Sequence, residues 1–218
     1  MKTIRFYLMA ALMATIILPT VTSCLDNDND DNSNTTPSRS LTDSEKSIIM
    51  SNVAGDYEGK LYYINMEQKE DSIDIHYTIT ASDSVLCIND FDFKTLQRVT
   101  LTWGEEPSQT VGSAGQAAFK LVLHPYYNEY LTAGDYTFNY SYDTPLSFIY
   151  NDGEKDHSII ITMTQYVDFI YTYETLRYYN FVEYYSKLMQ GNIIIKSVTV
   201  DGVQANVNTV LGFNGKKL

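Results

Sequence analysis

Over much of this chain apolar and polar residues alternate one for one, and that period leaves few architectures open. Ile73, Ile75, Tyr77 and Ile79 share one parity, while Asp74, His76 and Thr78 take the other. Phe119, Leu121 and Leu123 repeat the pattern, and Tyr136, Phe138, Tyr140 and Tyr142 do so against Thr137, Asn139 and Ser141. A strand with one face in a core and the other in solvent reads this way. Further strands are expected from Asp56 to Met66, Ser84 to Ile88, Leu146 to Tyr150, Ser158 to Gln165, Val167 to Tyr173 and Asn192 to Val200. About nine strands with short connections predict a mainly β domain, built as an antiparallel barrel or, alternatively, a β-sandwich.

Three departures from period two are expected to be short helices. Thr42 stands where its hydroxyl can cap a helix start, with Glu45 three residues on to reach back, and Ile48, Ile49 and Val53 would give that helix an apolar side before Gly55. A second helix is expected from Phe91 to Val99, and another from Glu174 to Met189. Asn151, Asp152 and Gly153 supply the positive φ that a hairpin turn needs. The small-residue run Gly112 to Gly115 is expected to be a flexible connection, and the pairs Glu105 with Glu106 and Asp152 with Glu154 to be solvated loop charges.

The N-terminus has its own chemistry. Lys2 and Arg5 precede an apolar run from Phe6 to Leu18, the form of a secretory signal. At ~13 residues this run is too short for a membrane-crossing helix, which needs roughly 20. Val21, Thr22, Ser23 and Cys24 then resemble the lipobox of bacterial lipoproteins, which implies cleavage before Cys24 and acylation of that residue, palmitate-type chains included. Residues 1–23 are thus expected to be a lipoprotein signal peptide and residues 24–40 a lipidated, acidic, disordered tether. A single β-rich domain would span residues 41–218. The tether, DNDNDDNSNTTPSRS after Leu25, has nothing to bury. Its Asp26, Asp28 and Asp30 imitate a calcium loop, but Asp31 replaces the turn glycine and Pro37 the bidentate glutamate, so no metal is expected there.

The lipobox, the acidic tether, the segment LTDSEKSIIMSNVAGDYEGKLYY, the strand DSIDIHYTIT and the segment NDFDFKTL together resemble a family of uncharacterised Bacteroidales lipoproteins with a calycin-like, lipocalin-like domain. The resemblance implies an outer-membrane lipoprotein, exposed at the cell surface or facing the periplasm. It implies no activity.

Several function classes are disfavoured by what the chain carries. Without residues 1–23 it has 13 basic against 27 acidic residues, a net −14, which opposes nucleic acid and anionic lipid surfaces. His76, His124 and His157 fit no metal or protease spacing, and no nucleophile elbow or phosphate loop occurs. No cofactor, metal or catalytic residue is expected, and Cys87, on the parity of Val85, is expected in the core. The conspicuous excess is tyrosine, 19 against the single Trp103. Tyr126, Tyr127, Tyr130, Tyr178, Tyr179, Tyr184 and Tyr185 are the candidate ligand-binding residues, since a ring with a hydroxyl suits a half-wet site. The expectation is a non-enzymatic module, tethered to a membrane through Cys24, that binds a small apolar or glycan ligand in a barrel mouth or on a tyrosine-rich face. A pilus-like or complex-associated interaction subunit is the alternative.

Overall fold

The alternation is realised as twelve strands and three short helices, in a computed structural model that describes residues 39–128, 134–141, 145–171 and 174–218. Cys24, Tyr130 and Tyr142 lie outside the described residues, as do the expected signal segment and most of the tether. Residues Ser40–Leu218 form one compact unit. Helix α1 (Asp43–Val53) leads into β1 (Gly55–Ile64), β2 (Glu70–Thr80) and β3 (Val85–Asp92). Next come α2 (Lys94–Thr100), a 3-10 turn (Leu101–Trp103) and α3 (Glu105–Ser113). The rest are strands: β4 (Gln116–Tyr126), β5 (Tyr136–Tyr140), β6 (Leu146–Asn151), β7 (Asp156–Met163), β8 (Tyr166–Tyr171), β9 (Glu174–Tyr179), β10 (Phe181–Tyr185), β11 (Leu188–Val200) and β12 (Val203–Lys217).

Eight strands close on themselves in the order β10-β5-β4-β3-β2-β1-β12-β11, with β11 returning to β10. This is the antiparallel barrel, and closure removes the edges that would otherwise invite aggregation. The sheet also forks. The first part of β11 pairs with β10, from Leu188 opposite Tyr185 to Asn192 opposite Phe181, and its last part pairs with β7, from Ile195 opposite Met163 to Val200 opposite Ile159. A bulge between Ile195 and Ser197 marks the exchange of partners, where an extra residue bends the strand. β7 carries β6 outward from the fork, while β8 and β9 form a separate two-stranded ribbon.

The interior is filled by aromatic side chains. Tyr57 stacks on Tyr77 with ring centroids 4.9 Å apart, Phe213 meets Tyr77 edge-on at 5.9 Å, and Phe91 stacks on Phe119 at 4.5 Å. Gly215 makes room for Tyr77, and Gly59 opposite it lets the β12 backbone come close. A Cβ on Gly215 would strike the Tyr77 hydroxyl, and one on Gly59 the backbone of Asn214. Helix α1 closes the end at which β1 begins. Its expected capping box is present, with the Glu45 amide donating to the Thr42 hydroxyl and the Thr42 amide to the Glu45 carboxylate (2.8 Å). Asn52 donates to the Tyr136 hydroxyl (2.8 Å), Lys217 to the Asn52 carbonyl (2.9 Å), and the Tyr57 hydroxyl to the Val53 carbonyl. At the opposite end α2 and α3 pack together, with Leu96 and Val111 fully buried.

Several expectations are corrected. The helix from Glu174 to Met189 is instead β9, β10 and the start of β11. Tyr, Phe and Val favour strands there, and Ser186 and Lys187, both at positive φ, make the two-residue turn that joins Tyr185 to Leu188. Gly112 is helical rather than part of a flexible loop, because it lets α3 approach Gln97, which a Cβ would hit. Glu105 and Glu106 are in the first turn of α3, where carboxylates favour the helix dipole. Helix α1 buries Met50 and Val53 and leaves Ile48 exposed. Finally, Cys87 lies half-buried on the parity opposite to the core residues Leu86 and Ile88.

Candidate functional site

The candidate tyrosines are not gathered into one site. Tyr184 points inward, 8% exposed, and stacks on Tyr136 at 6.0 Å. Tyr126 lies on the outer face over Thr137, half-buried, and burial pushes its hydroxyl pKa up. Tyr185 is exposed, its hydroxyl donating to Gln190 Oε1 (3.4 Å), and Tyr127 is exposed in the chain after β4. Tyr178 and Tyr179 belong to the β8–β9 ribbon, the first half-buried and the second exposed. The interior position therefore serves packing, Tyr126, Tyr127 and Tyr185 are scattered over β4, the chain just after it and β10, and two other surface regions carry exposed polar and aromatic groups together.

The first is the outer wall around β1, β2 and β12, where a groove of about 600 Å³ opens between Tyr62, Lys60, Asp74, His76 and Asn214. Its polar groups satisfy one another. Lys60 donates to Asp74 (2.8 Å), Asn214 to the Tyr62 hydroxyl (3.1 Å), and His76 Nδ1 to Asp90 (3.1 Å), with Glu58 at 3.7 Å from the other ring nitrogen. Lys60 holds the Asp74 carboxyl below the usual range.

The second is the ribbon. Antiparallel register sets Tyr166 opposite Tyr179 and Asp168 opposite Arg177, and alternation puts all four on one face. The Tyr166 and Tyr179 rings are 6.1 Å apart and inclined at 50°. Arg177 lies 4.4 Å above the Tyr166 ring and grips Asp168 with two hydrogen bonds, Nε to Oδ1 (2.6 Å) and Nη2 to Oδ2 (2.9 Å). The bidentate contact lowers the Asp168 pKa and raises that of Arg177. On the other face Val167 is buried; the base of the ribbon is closed where the Asn180 backbone amide donates to the Gln165 carbonyl (2.7 Å), and the Asn180 side chain ties it to β5 by donating to the Tyr140 carbonyl (3.4 Å). In the sequence Tyr178 and Tyr179 stand out as helical residues, and nothing there marks Tyr166, Asp168 and Arg177. Reading Tyr166 to Tyr171 and Glu174 to Tyr179 as a hairpin would bring these residues to one face.

A third polar cluster joins two surface turns around one buried histidine. His157, 4% exposed, is held between two carboxylates, with Nδ1 at 2.8 Å from Asp201 and Nε2 at 3.0 Å from Asp152, and the Tyr150 ring stacks beside it. A carboxylate only accepts, so two such neighbours favour the imidazolium, in which both ring nitrogens donate. The Asp152 and Asp201 hydrogen bonds raise the His157 pKa. Asp152 is far from a merely solvated charge, because it also accepts from the Glu154 and Lys155 amides, and its pKa is strongly lowered. The cluster fastens the β6–β7 turn to the β11–β12 turn. Among the described residues no group of three or more His, Cys, Asp or Glu is placed to hold a metal ion.

A family model described as a domain of unknown function (DUF4840) matches residues 52–200. The match runs from the end of α1 to the end of β11, so β12, which completes the barrel between β1 and β11, falls outside it. No curated protein and no solved structure matches the chain.

Proposed function

For a chain that belongs to this family of unknown function, we propose a non-catalytic, membrane-tethered binding module that holds a neutral ligand on the outside of its barrel. The observation that carries the proposal is the division of the tyrosines. Tyr57, Tyr77 and Tyr140 fill the interior and α1 covers one end, whereas Tyr166, Tyr179 and Tyr185 stay exposed where no core needs them. An apolar ligand inside the barrel would have to displace close-packed rings, so the exterior is the better place and a glycan the better ligand. Binding without turnover fits the ribbon chemistry, since Asp168 is held ionised by Arg177 and is a poor proton donor near neutrality. Val21 to Cys24 after the apolar run support the lipid anchor, an outer-membrane location and the kinship with calycin-like Bacteroidales lipoproteins.

A thermal-shift screen of the full chain against neutral oligosaccharides and apolar metabolites tests the binding. A ligand at a hundred times its Kd stabilises by about 2.7 kcal/mol. Stabilisation by members of the oligosaccharide set is expected, and a flat response across both sets would favour an interaction subunit instead. For the anchor, Cys24→Ala is expected to leave the chain unacylated; an unchanged lipid label would contradict it.

A further inference from the structure

We propose that the ligand site is the outward face of the β8–β9 ribbon, and that it takes a neutral sugar chain whose rings stack against Tyr179 and Tyr166 while the Asp168–Arg177 pair receives hydroxyl groups. This rests on the binding reading above and names its site and ligand class.

The ribbon has one face that folding uses and one that it does not. Val167 is buried on the inner side, while Tyr166 and Tyr179 keep 43% and 48% of their surface exposed on the outer side. Two neighbouring exposed aromatics cost solvent-facing apolar area without adding to the core. Their geometry is fixed in advance: two hydrogen bonds lock Arg177 to Asp168, and the guanidinium over Tyr166 sets the angle of that ring. Pre-set side chains lose little freedom on binding.

Charge and size select the ligand. Arg177 and Asp168 neutralise each other, so the face has no net charge from this pair, and the acidic chain, −12 overall, repels anions. Flat apolar molecules need enclosure, which a projecting ribbon does not give. A sugar has a C–H face for the rings and a rim of hydroxyls for a carboxylate that accepts and a guanidinium that donates. Because the two rings are inclined at 50°, successive units of a chain suit them better than one planar ring. Strands of six residues are about 20 Å long and two of them are under 10 Å wide. A protein partner requires roughly 1,200 Å² of buried surface, which this face alone cannot supply.

The test is calorimetric titration of the full chain with cellotriose, maltotriose, N-acetylchitotriose and mannotriose. At least one is expected to bind at a Kd of about 0.1–1 mM, typical of a few stacking contacts. Tyr179→Ala and Tyr166→Ala are each expected to weaken it about tenfold, Tyr179→Phe to restore stacking to within about threefold, and Tyr62→Ala in the groove to change nothing. Matching melting temperatures for all variants keep folding out of the comparison. Binding that survives the Tyr166/Tyr179 double change but is lost in Tyr62→Ala overturns the ribbon site and leaves the binding function standing. No binding by the parent to any of the four overturns the sugar assignment. A thermal-shift response to apolar metabolites then preserves the general reading, and its absence removes both.

Discussion

Inside the barrel Tyr140 is 1% exposed and its hydroxyl accepts the Ile194 amide (3.0 Å), whereas Tyr179 on the ribbon keeps 48% of its surface and supports no core. The difference follows from neighbours rather than residue type. Buried hydroxyls must be paired or carry a desolvation cost, so each interior tyrosine is fixed by its surroundings. Exposed tyrosines escape that demand, and their rings remain available.

The sharpest way to break this contrast is to shorten an interior ring. Tyr140→Ala is expected to cost about 3–5 kcal/mol, as other large aromatic deletions do, read by chemical denaturation. Hydroxyl removal separates two interior cases. Tyr140→Phe leaves the Ile194 amide without its acceptor and is expected to cost about 1–3 kcal/mol. Tyr77 carries a buried hydroxyl with no partner among the described residues, so Tyr77→Phe is expected to be neutral or stabilising. Equal losses for the two would show that hydroxyl pairing does not distinguish the sites.

Histidine draws the same contrast. His157 and His76 each face two carboxylates, but their side chains are 6% and 61% exposed. Facing His157 are Asp152 and Asp201, with Lys155 at 3.6 Å from Asp201 and Tyr150 stacked alongside. Its folded pKa is raised above 6.5, so its contribution is complete below that value and is lost as pH rises through the raised pKa. Asp152 and Asp201 have folded pKa values below 3.8, so theirs is present above 3.8 and lost as pH falls through the lowered values. His157→Gln is expected to flatten the alkaline limb of a stability-versus-pH curve, while His76→Gln leaves it nearly unchanged because solvent screens an exposed pair. The reverse order would break the burial argument.

The barrel is legible in the sequence because alternation survives in single strands: Ile73 to Ile79 and Phe119 to Leu123 need no tertiary information. What fails is local ambiguity. The stretch from Glu174 to Met189 stops reading as a helix once Ser186 and Lys187 turn the chain, yet neither residue is a usual positive-φ signal. Asp201 and Gly202 do carry a hairpin signal, although β12 after them is missing from the expected strands. At the site, Tyr179 stands out through the abundance of tyrosine, but its partners Tyr166, Asp168 and Arg177 depend on cross-strand register. His157 and Asp201 are 44 positions apart and meet only through the pairing of β7 with β11.

The most direct measurement follows assigned tyrosine ring signals by NMR as the same four trisaccharides are added to the full chain. Tyr166 and Tyr179 are expected to shift while Tyr57, Tyr77 and Tyr140 stay in place, with Tyr62 and Tyr185 also unmoved. Shifts centred on Tyr62 or Tyr185, or on the interior rings, would contradict the ribbon site, and so would an unchanged spectrum with every sugar.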